Sequence, residues 1–238
     1  MRGVVLAVAL TFPAVSLAQE TAIPAQLVAT RTTTLSAEVP AKIDKITVKD
    51  GERFQGGQLL VAFDCTLQRA QLDEARAILI AADKSKAAHK RLLELNSAGA
   101  LEVEKAVADA AVAQAKLNSA QAVVSKCTVT APYPGRVIER KAQAHQYVQA
   151  GQPLLDILDD SSLEAEFIVP SGWAPNLKAG TTVEIVVDET RKAYPAKIAR
   201  FGARVDSVSH SVKIVAEING HFPELMAGMT GKVRMTGP

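Results

Sequence analysis

Reactive side chains are few in this chain of 238 residues, and their spacing limits the chemistry open to them. Asp206, Ser207, Ser209 and His210 are the ingredients of a nucleophilic triad, but they crowd one short segment that lacks the strand–turn–helix elbow presenting a serine nucleophile. Gly228, Gly231 and Lys232 mimic a phosphate-cradling loop, yet the spacing is wrong and Val233 stands where a Ser or Thr would hold magnesium. His89, His145, His210 and His221 are scattered. Met226, Met229 and Met235 could offer soft metal ligands, although strand alternation explains them as core residues. No catalytic residue, cofactor site or metal site is therefore expected, and the chain reads as a non-enzyme.

The two cysteines have a clearer geometry. Cys65 follows the apolar run 59–64, and Cys127 precedes the strand-like 128–132. If these runs are antiparallel neighbours whose residue numbers sum to 192, Cys65 faces Cys127 and Phe63 faces Val129. A disulfide there would close a long loop, worth about 4 kcal/mol in the chain-entropy view. The alternative is a pair of small buried thiols packed as hydrophobes.

The elements that would position these residues follow from pattern. Between the cysteines the apolar period becomes three and four: Val103, Ala106, Ala110, Ala113, Leu117, Ala120 and Val124 in one arm, and Leu72, Ala75, Leu79 and Ala82 in the other. The first seam weakens at Lys86 and His89 before Leu93, and 96–99 breaks the pattern, with Gly99 as the expected helix stop. Two helices of about 30 residues would form a rod of roughly 45 Å. At its end Lys84, Lys86, Lys90 and Arg91 lie beside Leu92, Leu93 and Leu95, either a solvated helix end or a docking tip.

Two strand-rich stretches flank this hairpin and repeat each other. Pro40, Ala41, Ile43, Gly51, Phe54, Gly57, Gln58 and Leu60 match Pro134, Gly135, Val137, His145, Val148, Gly151, Gln152 and Leu154 at a constant offset of 94. Strands are expected over 42–48, 58–63, 128–131, 136–139 and 153–158, with turns at Gly51, Gly57 and Gly151. After Asp159-Asp160, alternation over 163–169, 183–187, 212–218 and 233–235 predicts a small antiparallel barrel.

Composition sets the outer limits. With 27 basic against 25 acidic residues, the net charge of +2 gives no reason to expect nucleic acid as a partner. Aromatics are 4% against 48% apolar, which points to a thin core of aliphatic residues. Arg2, the apolar run 3–12 and Ser16-Leu17-Ala18 read as a secretory signal peptide; a retained anchor is the alternative, although Pro13 interrupts a run short of the roughly 20 residues a span needs. Export would permit the disulfide.

Taken in order, the chain resembles the periplasmic adaptor or membrane fusion proteins, the HlyD-like group with its RND-type efflux adaptors. The resemblance runs from about Glu38 to Val233. It rests on 57–60 (Gly-Gln-Leu-Leu), 131–137 (Ala-Pro-Tyr-Pro-Gly-Arg-Val), Val169-Pro170 with 177–180 (Leu-Lys-Ala-Gly), Val205-Asp206, and 225–229 (Leu-Met-Ala-Gly-Met). It implies a mixed α and β, elongated multidomain chain: a split lipoyl-like β-sandwich interrupted by an antiparallel α-helical coiled-coil hairpin and followed by a small antiparallel β-barrel. The expected boundaries are 1–18 signal peptide, 19–37 extension, 38–64 first lipoyl-like half, 65–127 hairpin, 128–160 second half and 161–238 barrel.

The resemblance also implies a role and partners. The chain would link an inner-membrane transporter to an outer-membrane channel from the periplasm, as a homo-oligomeric ring, without cofactors. Family members that dock on such channels often carry Arg, Leu and Ser around the hairpin tip. Here Arg91 and Leu95 fall in place while Glu102 takes the third position. Few residues follow the barrel, so a reduced membrane-proximal contact is expected. Two other readings remain open: an envelope scaffold with a coiled-coil arm, and a lipoyl or biotinyl carrier, whose modifiable lysine would sit in the turn that the hairpin here occupies.

Overall fold

The computed structural model describes residues 23–235, so the expected signal peptide lies outside the described residues. The chain divides into two compact units: Ala29–Leu163, and the residues up to Val28 together with those from Glu164 onward. Strand β1 (Ile23–Ala29) belongs mainly to the second of these.

Strands β2 (Thr32–Ser36), β3 (Ala41–Ile46), β4 (Arg53–Phe54) and β5 (Leu59–Asp64) precede two helices, α1 (Thr66–Glu94) and α2 (Ala100–Ser125). Strands β6 (Thr128–Thr130), β7 (Gly135–Arg140), β8 (Tyr147–Val148) and β9 (Pro153–Leu158) follow them. The offset of 94 carries β3, β4 and β5 onto β7, β8 and β9, since 135 − 41, 147 − 53 and 153 − 59 all equal 94. One sheet is ordered β2-β9-β7-β4 and the other β6-β5-β3-β8, so each is the image of the other and each draws strands from both halves.

The same symmetry governs the turns. Gly51 donates its N–H to Val137 O (2.9 Å) as His145 does to Ile43 O (2.8 Å), and Gly57 donates to Ala131 O (2.8 Å) as Gly151 does to Ala37 O (2.7 Å). The side chains of Gln58 and Gln152 accept from the backbone N–H of Gln55 and Gln149, at 2.9 and 3.2 Å. Each half thus completes the hydrogen bonding of the other. Burial is paired as well: Ile43 with Val137, Phe54 with Val148, Leu60 with Leu154, and Phe63 with Ile157 all lie in one core. Gly135 is required where its counterpart Ala41 is tolerated, because a Cβ at 135 would overlap the Leu158 carbonyl oxygen.

The second unit is a closed six-stranded barrel in the order β1-β10-β13-β12-β11-β14. Its remaining strands are β10 (Leu163–Pro170), β11 (Thr182–Val187), β12 (Lys192–Asp206), β13 (Ser211–Ile218) and β14 (Thr230–Arg234). Leu27, Phe167, Ile185, Ile198, Ile214 and Val233 fill it, and closure removes free sheet edges. Buried Glu164 is paired by both terminal nitrogens of Arg200, at 2.6 and 2.7 Å.

The structure adds to or departs from the sequence pattern at three places. The stretch 19–37 is not an extension over its described part: β1 closes the barrel against β14, and β2 pairs with β9. Its apolar contrast is weak, with Ala25 and Pro24 inside the alternation, and the pairing partners decide it. The longest barrel strand, β12, escaped the alternation pattern because register shifts after Ile198 and Phe201 interrupt its pairing with β13. The methionines are not core residues either: Met226 is exposed and Met229 half-buried in the turn before β14, and Met235 is half-buried immediately after that strand.

Candidate functional site

The helical hairpin is the candidate site, and its construction begins at the root. Cys65, immediately before α1, and Cys127, two residues after α2, are joined by a disulfide with Cα atoms 6.0 Å apart, and both are buried. The strand register that carries them differs from the expected one. Val61 faces Val129, and Phe63 donates its N–H to Cys127 O at 3.0 Å, so the paired numbers sum to 190 rather than 192. A shift of two leaves every side chain on its original face. Cys65 therefore reaches Cys127 along the diagonal, and Phe63 faces Cys127 rather than Val129.

Asp64 starts α1 by accepting from the hydroxyl and backbone N–H of Thr66, at 2.7 and 3.2 Å, and these bonds hold its carboxyl below the ordinary range. Along α2 the covered positions are Val103, Ala106, Ala110, Ala113, Leu117, Ala120 and Val124; along α1 they include Leu72, Ala75, Leu79 and Ala82. The helical residues that are fully buried are all alanines, namely Ala75, Ala106, Ala110 and Ala113. Helices can approach closely over alanine, but each such residue removes little apolar area from water. Toward the tip Lys86 and His89 occupy the seam, and His89 Nδ1 is buried without a hydrogen-bond partner.

The tip closes differently from the expectation of a Gly99 stop. Asn96 takes the left-handed conformation (φ 53°) and donates to Leu93 O at 2.9 Å, while Ser97 donates to Leu92 O at 2.8 Å. These are the paired bonds of a Schellman motif, with Asn in the place usually held by Gly. Gly99 instead precedes α2 as its N-cap, and Glu102 accepts from the Gly99 N–H at 3.4 Å.

Each expected tip residue can now be placed. Arg91 and Leu95 are four residues apart at the end of α1, and Glu102 lies in the first turn of α2. Arg91 pairs with Glu94 at 3.1 Å in the open. Leu95 is 59% and Leu101 77% exposed, and Leu92 and Leu93 are exposed beside them. Exposed leucines among charged side chains offer surface for binding and no group for a reaction.

Elsewhere the reactive candidates are occupied or apart. Asp206 accepts from the backbone of Val208 and Ser209, so its carboxylate builds a turn, and Ser209 shares a hydrogen bond with Ser211. Among the described residues no group of three His, Cys, Asp or Glu side chains could hold a metal ion. No described helix is long and apolar enough to cross a membrane.

One part-buried ion pair was not legible in the sequence. Asp159, 1% exposed, accepts from Arg31 Nε (3.0 Å) and from the Ser161 N–H (3.0 Å) and hydroxyl. Burial pushes its carboxyl up, but the Ser161 and Arg31 hydrogen bonds outweigh burial and hold it below the ordinary range. The Arg31 guanidinium also lies 4.6 Å over the Tyr133 ring. The run Asp159-Asp160-Ser161-Ser162 carried an Asx-turn signal, but nothing in it pointed to Arg31.

No protein-family model matches the chain. It is 26% identical over 228 residues to nodulation protein NolF of Rhizobium meliloti, covering 90% of this chain and 62% of that protein. The chain spans 54% and 62% of the length of the first two curated relatives it matches. The membrane fusion protein Spr0693 of Streptococcus pneumoniae superposes with a TM-score of 0.76 at 18% identity, over 92% of this chain and 99% of that one. A MacA–MexA chimera carrying the Pseudomonas aeruginosa MexA α-hairpin domain gives 0.78 at 23%, over 92% and 82%. The chain has the fold of the membrane fusion proteins.

Proposed function

We propose that this chain is a non-enzymatic periplasmic adaptor of a tripartite efflux or secretion system, linking an inner-membrane transporter to an outer-membrane channel. The observation that carries the reading is a helical hairpin, bonded at its root by Cys65–Cys127, inserted between two halves that complete each other's sheets. In this reading the paired sheets are a split lipoyl-like sandwich that anchors a coiled-coil arm. Arg91, Leu95 and Glu102 form the end of the arm that meets the channel, and copies assemble laterally as a ring.

The mechanism is mechanical. Strands shared between halves resist shearing, so force applied at the tip reaches the base instead of unfolding one half. The disulfide keeps the two helices from parting where they leave the sheets.

The test is transport by the organism that encodes the chain. Deleting the gene should abolish export of the cognate substrate, and the intact chain should restore it. In-cell cross-linking from the tip should join the chain to an outer-membrane channel. Unchanged export after deletion, with no cross-link to a channel, would overturn the adaptor role in favour of an envelope scaffold.

A further inference from the structure

The barrel carries a protrusion and a groove that complement each other. Every residue over 202–210, in the hairpin joining β12 to β13, is exposed. Near its end Val208 is 91% exposed, with Val205 exposed behind it. The turn is built to hold this valine in place: the Asp206 carboxylate accepts from the N–H groups of Val208 (3.0 Å) and Ser209 (2.9 Å), and the hydroxyls of Ser209 and Ser211 lie 2.7 Å apart. A preordered apolar residue loses little further freedom on binding.

On the outer wall of the same barrel, across β14, β1 and β10, lies an open groove of about 740 Å³. Pro24 and Ile168 give it an apolar floor, and Ile168 is 60% exposed. Lys213 is neutralised by Glu166 at 2.6 Å. Asp188, in contrast, has no side-chain partner among the described residues, and neither does Arg204 on the protruding hairpin.

We infer that the Val208 hairpin of one copy seats in the groove of a neighbouring copy, with Val208 against Ile168 and Pro24 and with Arg204 facing Asp188. Apolar knob meets apolar floor, and unpaired cation meets unpaired carboxylate. Lys232 on the groove wall fixes the orientation, because Arg204 laid beside it would be repelled. Knob and groove occupy different places on one barrel, so a head-to-tail contact leaves one free knob and one free groove at the ends of any chain of copies. It closes into a ring where the rotation returns to the first copy; a reciprocal exchange would stop at a two-fold dimer, and the higher ladders of the experiment below separate the two. This gives the ring of the proposed function its contact and rests on that reading only for the ring's purpose.

The experiment uses the purified full chain without reductant, carrying Val208→Cys labelled with a benzophenone maleimide. Irradiation should yield covalent dimers and higher ladders whose cross-linked peptides come from β10, β1 or β14. Monomer alone, an adduct within one chain, or dimers joined hairpin to hairpin would each overturn the inference. In cells, an adduct to a different protein in place of a second copy would do the same. Arg204→Asp and Asp188→Arg, placed singly on the labelled chain, should each lower dimer yield about tenfold, and their combination should restore it. Equal yields from all variants would overturn the Arg204–Asp188 pairing. Self-assembly without any transport phenotype would instead count against the adaptor reading and leave this contact standing.

Discussion

His145 holds in the second half of the repeat the turn that Gly51 holds in the first. Both are left-handed, with φ of 68° and 76°, and each donates its N–H to the strand of the opposite half, at Ile43 O and Val137 O. A non-glycine residue in this conformation is tolerated because the surrounding turn is over-determined by bonds from both halves. The two-fold relation is thus a property of the backbone that survives a change of side chain.

Gly135 and His145 should respond differently to substitution. Gly135→Ala should cost about 3 kcal/mol or more, because the Leu158 carbonyl belongs to a paired strand and cannot withdraw. His145→Gly should change stability by less than about 1 kcal/mol, relief of strain being offset by a freer unfolded chain. Urea unfolding of the two variants checks both, and a mild Gly135→Ala would contradict the close approach.

Replacing both Cys65 and Cys127 by Ser should lower stability by up to about 4 kcal/mol, the value for a loop spanning 62 positions. Because alanines supply the buried seam, helical signal at 222 nm should be lost at a lower temperature than strand signal. Coincident loss of both in the reduced protein would show that the clamp does not act on the hairpin. Thiol counting on the unfolded, non-reduced protein should find none free.

At the tip, Leu95→Asp should leave the melting temperature nearly unchanged, since Leu95 is already largely in water. If the tip docks on a channel, the same change should abolish transport. Wild-type transport from a stably folded mutant would remove Leu95 from the docking surface. Loss of stability and transport together would assign it to closing the hairpin against Leu101.

Asp159 predicts an acid limb in the stability of its unit. Its folded pKa lies below the unfolded value of about 3.9, so its contribution is complete above that pH and is lost as pH falls through the folded value. Asp159→Asn should flatten the stability profile below about pH 4, and Arg31→Ala should cost about 1–3 kcal/mol at neutral pH. Melts from pH 2 to 7 measure both; an unchanged acid slope in Asp159→Asn would place the sensitivity elsewhere.

What the sequence determined by itself was periodic. The offset of 94, the three-four seam from Val103 to Val124 and the alternation of β10 and β13 are local repeats, and burial enforces each because one face must leave water. The pairing of strands is not local. The register that sets Val61 opposite Val129, the closure of the barrel by β1 and the choice of Asn96 over Gly99 as the helix stop all depend on partners or backbone angles that no residue type announces. The same holds for Arg31 and Asp159, separated by 128 positions and joined only because β2 and β9 lie side by side. A buried carboxylate is stable only where its donors converge, and tertiary structure alone brings them together.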